Sequence, residues 1–182
     1  MVSVVGSPQS LSETDRRAVA LWVADCAERV PPLFEAEAPS DGRPADAIDR
    51  ARAFGRGELD AASQIRQRFV AGRAASAVVG PVAVAAARSA AQASGVAHMG
   101  AHALGAAAYA AKAAGLAAGN DSAIDAEIRW QLSRLAEPVR AALRRLPPIG
   151  EDSAGPLGSG LLASGVLGSI IRKLQAGLTE RG

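Results

Sequence analysis

AHMGAHALGAAAYAAK, Ala97 to Lys112, is the stretch whose reading decides the fold. It holds both histidines of the chain, His98 and His102, the only tyrosine, Tyr109, and Lys112, one of two lysines. It lies inside Pro81 to Ala118, where 19 of 38 residues are alanine. Alanine is the best helix former and adds no side-chain bulk. Helices built from it approach closely, so the few large or polar side chains among them stand out. Gly95 and Gly100 are weak points, each about 1 kcal/mol worse than alanine in a helix interior. The segment therefore reads as two helices, about 82–97 and 101–118, with a bend between the histidines.

Outward from that pair the signals are helical throughout. Upstream, Ser12 offers an N-cap, with Glu13 and Asp15 in the first turn where they suit the helix dipole. Val19, Trp22, Val23, Cys26, Val30, Leu33 and Phe34 then follow a helical stripe. Pro31 and Pro32 predict a break, with a final turn to about Glu37. Residues 38–45 are a loop by composition. Pro44 can occupy the first turn of the next helix, about 45–56, which would bury Ile48, Ala51 and Phe54. A third helix is expected over about 60–79, with Ile65, Phe69, Gly72 and Ser76 on one side. Gly80 and Pro81 open the alanine pair.

Downstream, Gly119 and Asn120 close that pair, and Asp121 or Ser122 is expected to cap a helix that turns Ile124, Ile128, Leu132 and Leu135 inward. Trp130 lies off that stripe. Pro138 marks a break, and Val139 to Leu146 makes a short helix. Pro, Gly and Ser dominate 147–160, which reads as a linker. Beyond it Leu167, Ile170, Ile171, Leu174 and Leu178 share one helical face. The expected architecture is all-α: a compact bundle of about six to eight helices over 1–146, a linker over 147–160, and an amphipathic C-terminal helix within 161–182. No hairpin turn and no sustained period-two run argues for a strand.

Composition narrows function by exclusion. Charged residues make up 21% and hydrophobic residues 49% of 182, a globular profile. Net charge is +2, mildly basic and without the footprint of a nucleic-acid binder. Cys26 is the only cysteine, so no internal disulfide forms. The start has neither the basic nor the long apolar region of a secretion signal, and no run approaches the ~20 apolar residues of a membrane span. The expected compartment is the cytoplasm. No cofactor is expected, since the sequence holds no GxxxxGKS, GxGxxG or GxSxG motif.

The polar constellations are few. His98 and His102 stand at i, i+4, which on a continuous helix puts both rings on one face. Such a pair needs further ligands to hold zinc, and no HExxH is present. The leading reading is a pair of hydrogen-bonded, half-buried histidines that bridge helices, ahead of an acid/base or ligand pocket and of a metal site. Because buried polar groups need partners, both are expected near Asp25 or Arg29. Asp25 and Arg29 are themselves i, i+4, the spacing of a solvent-facing ion pair. Cys26 sits on the apolar stripe and reads as an inert small hydrophobe. Asp46, Asp49, Arg50 and Arg52, with Arg43 before Pro44, make a charged helix start.

Four blocks together resemble a known family. They are WVADCAERVPPLFE (22–35), DGRPADAIDRARAFGRGE (41–58), AAARSAAQASGVAHMGAHALGAAAYAAKAAG (85–115) and EIRWQ (127–131). Their order and spacing over about residues 15–146 resemble the immunity-protein-five-like domain of bacteria. The resemblance implies an all-helical, non-enzymatic domain that neutralises a toxin by binding it. The positions it picks out are Asp25, Cys26, Arg29, Arg43, Pro44, Arg52, His98, His102, Tyr109, Lys112 and Trp130. Gln92 stands where the family pattern often has a further histidine, and the tail after Pro147 lies outside the resemblance. The expected partner is therefore a protein toxin. The alternative is a small helical enzyme or ligand binder with a pocket around Asp25, Arg29, His98, His102 and Tyr109. The C-terminal stripe must be covered by the bundle, by a second copy of the chain, or by a membrane, which ranks last because Arg172 and Lys173 give only a small basic face.

Overall fold

Local signals set most of the helix ends in the computed structural model, which describes residues 6–180. Ser12 accepts from the Asp15 amide and starts α1, Glu13–Ala27. Proline in its first turn opens α2, Pro31–Glu35, and Pro44 does the same for α3, Arg43–Gly55. Two longer helices follow, α6 (Pro81–Gly95) and α7 (His102–Ala118), with the expected bend between the histidines. Gly119, at φ +68°, closes α7 in the left-handed conformation that glycine adopts freely. Next comes α8, Asp121–Ser133, whose cap is Asn120 rather than Asp121 or Ser122. The Asn120 side chain accepts from the Ala123 amide at 3.0 Å. The last two helices are α9 (Glu137–Arg144) and α10 (Gly165–Thr179), the latter preceded by a 3-10 turn at Leu161–Ala163.

The expected helix over 60–79 is two short ones, α4 (Ala61–Arg66) and α5 (Val70–Ala75). Its expected inner face also changes. Phe69 is 61% exposed, whereas Ala71, Ala74 and Ala75 are buried. This segment packs on α6, whose contact side is itself alanine. Two alanine surfaces close up without voids, and a phenyl ring would hold them apart. This division and the short α2 bring the bundle before residue 147 to nine α-helices among the described residues, where six to eight were expected, with α10 as the C-terminal helix beyond them. The all-α class holds.

α6 and α7 form the centre. Ala103, Ala106, Ala107, Ala108, Ala110 and Ala111 of α7 are fully buried. α1 lies against both, α3 and α5 flank α6, and α8 and α10 flank α7. The α6–α7 bend is pinned from outside: the Gly100 and Ala101 amides donate to the Ser10 and Gln9 carbonyls, each at 2.9 Å. A Cβ at Gly100 would come within 2.7 Å of Leu11 Cγ, so a larger residue there would have to push the Leu11 side chain aside.

The connecting stretch 147–160 is anchored. Leu157 is fully buried. The fully buried Gln9 side chain accepts from the Leu157 amide at 2.9 Å and donates to the Asp152 carbonyl at 3.3 Å. α10 then lies across α7, α8 and α9. Leu167, Ile170, Ile171, Leu174 and Leu178 are all buried, so the face that raised the possibility of a second copy is covered by this chain. Arg140 and Arg144 donate to the last carbonyls of α10, where cations are favoured. Among the described residues no helix is long and apolar enough to cross a membrane.

Candidate functional site

The last turn of α1 and the two residues just after it carry Asp25, Glu28 and Arg29, and two neighbouring helices claim them. On one side Arg52 of α3 donates to Glu28 Oε2 at 2.7 Å and to Asp25 Oδ1 at 2.9 Å. Glu28 and then Asp25 hold the Arg52 guanidinium more firmly protonated. On the other side Arg29 Nε donates to both carboxylate oxygens of Glu127 on α8, at 2.8 and 3.0 Å. The same guanidinium lies 3.9 Å over the Trp130 ring, and Arg134 approaches that ring at 5.9 Å. The product is a belt of paired charge and one indole running from α3 across α1 to α8.

Asp25 and Arg29 therefore do not pair with each other as their spacing suggests. A helix side chain reaches either its neighbour one turn away or a group on a facing helix. Here the facing helices offer buried or forked partners, which bind more strongly than an exposed i, i+4 pair. The Glu127 side chain is only 7% exposed, and a carboxylate that far from water requires a cation. Below the belt α8 is stitched into the bundle. Trp22 Nε1 donates to the Gln131 carbonyl at 2.9 Å, and Gln131 Nε2 donates to the Ala107 carbonyl at 3.0 Å. Beside the belt is an acidic cleft of ≈ 340 Å³, lined by Glu28, Glu35 and Asp49 with Pro31, Pro32 and Ile48.

The remaining positions singled out in the sequence lie apart from the belt. Arg43 folds back on Asp41, two residues away. Cys26 is fully buried on the inner side of α1, and burial pushes its thiol well above the usual range, which keeps it in the unreactive protonated form. His98 is exposed in the α6–α7 bend. His102, the first residue of α7, donates from Nδ1 to Gln92 Oε1 at 2.8 Å and pairs with neither Asp25 nor Arg29. Burial, with the nearby His98 charge second, lowers His102 to about 4, so its ring is neutral at pH 7. Gly95 and Gly105 make room for this pair: a Cβ at Gly95 would fall 2.8 Å from the His102 ring, and one at Gly105 would fall 2.6 Å from Gln92 Oε1 and 3.0 Å from Leu162. Tyr109 is buried, its hydroxyl accepting from Arg88 at 3.3 Å. Lys112 borders a different cleft, of ≈ 230 Å³, with Leu116, Ile124 and Val166.

Asp25, Arg29, His98, His102 and Tyr109 line none of the clefts beside α9 and α10, at the lead-in, along α7–α8, or between α2 and α3, among the described residues. No three His, Cys, Asp or Glu side chains gather as a metal would require, among the described residues. Two belt residues escaped the sequence reading, Glu28 and Glu127. A signal for the second exists. Ile124, Glu127, Ile128 and Gln131 stand at i, i+3, i+4, i+7 and are the buried residues of α8, so a carboxylate and an amide occupy stripe positions where apolar residues are expected.

No curated protein and no solved structure matches the chain. A family model does, over residues 9–138, and that span takes in α1 to α8 and hence the whole belt. By that match, with the helical blocks in the order the resemblance requires, the chain belongs to the family described as Imm-5 like putative immunity protein.

Proposed function

We propose that the chain neutralises a protein toxin by direct contact in the bacterial cytoplasm, without turnover. Family membership supports a protein partner. The observation that carries the contact reading is the scatter of the polar residues. Asp25, Arg29, Arg52 and Trp130 make an outward-facing belt, while His102 and Tyr109 are satisfied separately inside the helix packing. A catalytic or ligand pocket needs convergent groups around one cavity. A belt whose side chains already hold one another suits docking, because little side-chain freedom remains to be lost on binding. Arginine and tryptophan are also the residue types that dominate protein interfaces.

The test is co-expression with a toxin domain encoded beside this gene. The expected result is restored growth and a stoichiometric complex on a sizing column. The substitution Trp130→Ala should weaken the complex at least tenfold, the range of an interface anchor. Growth arrest with no complex refutes the proposal. So does protection that proceeds by chemical modification of the toxin at substoichiometric amounts of this chain.

A further inference from the structure

Charge is distributed unevenly along this chain in a way its net value of +2 conceals. Residues 61–120 contain Arg66, Arg68, Arg73, Arg88 and Lys112 and no aspartate or glutamate at all. Residues 13–60, in contrast, contain eleven acids against seven arginines. The consequence is visible in the ion pairs. Arg17, Arg29, Arg43, Arg52, Arg56, Arg144, Arg145 and Lys173 each pair with a carboxylate, and none of the five cations of 61–120 does, among the described residues.

Three of those arginines gather on α4–α5. Arg66 ends α4, Phe69 stands in the turn before α5 and Arg73 lies on α5, and all three are exposed. Arg68 stacks on Phe69, its guanidinium 4.3 Å from the ring centre. Arg50 of α3 joins the edge of the group: it donates to the Ser63 carbonyl, while Arg66 donates to the Ser63 hydroxyl. Asp60, whose carboxylate feels the Arg66 charge, is already engaged as the α4 cap. Phe69 is 61% exposed on this face and Val79, just past α5, is 93% exposed. The sequence pattern turns that ring inward and the structure leaves it in water, so pattern and structure disagree at this position. Such local conflicts collect at functional sites.

We propose that this outer face of α4–α5 is a docking surface for a carboxylate-rich segment of a partner protein. The inference rests on the contact-neutralisation reading for the partner being a protein. The guanidinium is a planar fork that matches a carboxylate with two parallel hydrogen bonds, and none of these three is paired with a carboxylate among the described residues. Phe69 supplies the apolar anchor between them, as interface centres require. The same cations could attract nucleic acid, but the neighbourhood argues against it. A nucleic-acid strand carries charge along its whole length, and beyond this face it would run onto the acid-rich α1–α3 side. A short acidic protein segment ends where the arginines end.

The test uses the full chain in about 0.15 M salt, where exposed charges are screened beyond about 8 Å. The probes are a short glutamate-rich helical peptide with one leucine, its glutamine counterpart, and an oligouridylate of equal charge. The chain should bind the glutamate peptide and not the glutamine one. R66Q/R73Q should weaken that binding about tenfold and F69A several-fold, while R129Q/R172Q, with the same change in net charge, should leave it within about twofold. Equal losses in the two double variants overturn the proposal, since net charge alone would then be read. It is also overturned by no binding to the glutamate peptide, or by tighter, patch-dependent binding of the oligouridylate. The two readings fail separately: toxin protection untouched by R66Q/R73Q sinks this surface and leaves neutralisation standing, whereas patch-dependent peptide binding without toxin protection does the reverse.

Discussion

Arg29→Met should destabilise the protein by about 2–3 kcal/mol, between the 0–1 of an exposed ion pair and the 3–5 of a buried one. The intermediate value follows from the geometry. Arg29 is 42% exposed, but its partner Glu127 is 7% exposed and has no other hydrogen-bond partner among the described residues. Removing the guanidinium leaves that carboxylate enclosed and unpaired, and also ends the stacking on Trp130, which contributes about 0.5–1 kcal/mol. Methionine keeps the apolar stem, so lost packing is a small part of the change. Glu127→Gln removes the charge that needed neutralising and should cost about 1 kcal/mol. The double variant should then be less unstable than the sum of the singles by about 1.5–2 kcal/mol, the coupling of the pair. Arg29→Lys should fall between, because an ammonium keeps the charge and loses the planar stack. Urea denaturation of wild type and the four variants measures all of this, and Arg29→Met should melt about 4–12 °C lower, at roughly 2–4 °C per kcal/mol for a chain of this size. Additivity of the singles within about 0.5 kcal/mol would refute the reasoning, since Glu127 would then be at ease without Arg29.

His102 supplies a pH test. Its imidazole takes a proton near 4 when folded and near 6.5 when unfolded, so the stability it contributes is complete above pH 6.5 and is lost as pH falls toward 4. Wild type should lose up to roughly 3 kcal/mol more than His102→Gln over that window, and parallel pH profiles would contradict the assignment. Gln64 is the only buried residue of α4, and neither of its amide atoms finds a hydrogen-bond partner. Gln64→Met, of similar shape, should therefore raise stability by about 1 kcal/mol or more in urea melts, and a loss of that size would mean the amide is satisfied after all. Leu174, fully buried on α10, should cost about 2–5 kcal/mol as Leu174→Ala. Removal of everything after Pro148 should yield a chain that melts far lower or fails to stay monodisperse, and unchanged melting would show that the tail adds nothing to the bundle.

Much of the molecule was legible before any packing was known. The break at Pro31, the start at Ser12, Pro44 in a first turn, the bend between the histidines and the end at Gly119 all follow from what a few neighbouring residues do to the backbone. Caps, proline rings and left-handed glycine are local physics, and local physics is written in sequence order. The helical stripe of α10 was equally plain, because an apolar face must be covered by something. The sequence alone determined the all-helical class, most helix ends and which sides of most helices turn inward.

What only the tertiary structure decided is which helix stands opposite each side chain. Arg52 finds Asp25 across 27 residues, Arg29 finds Glu127 across 98, and Gln9 finds Leu157 across 148. Periodicity reports a direction around one helix axis and carries no information about the neighbour on that side. For the same reason the histidines could be expected to need a partner, yet Gln92 could not be chosen over Asp25. Phe69 shows the limit most clearly. Its spacing predicts a core residue, but the alanine surface of α6 leaves no room for a phenyl ring, and the ring is left in water. Alanine-rich helices fit by contact distance, and contact distance exists only once the helices are side by side.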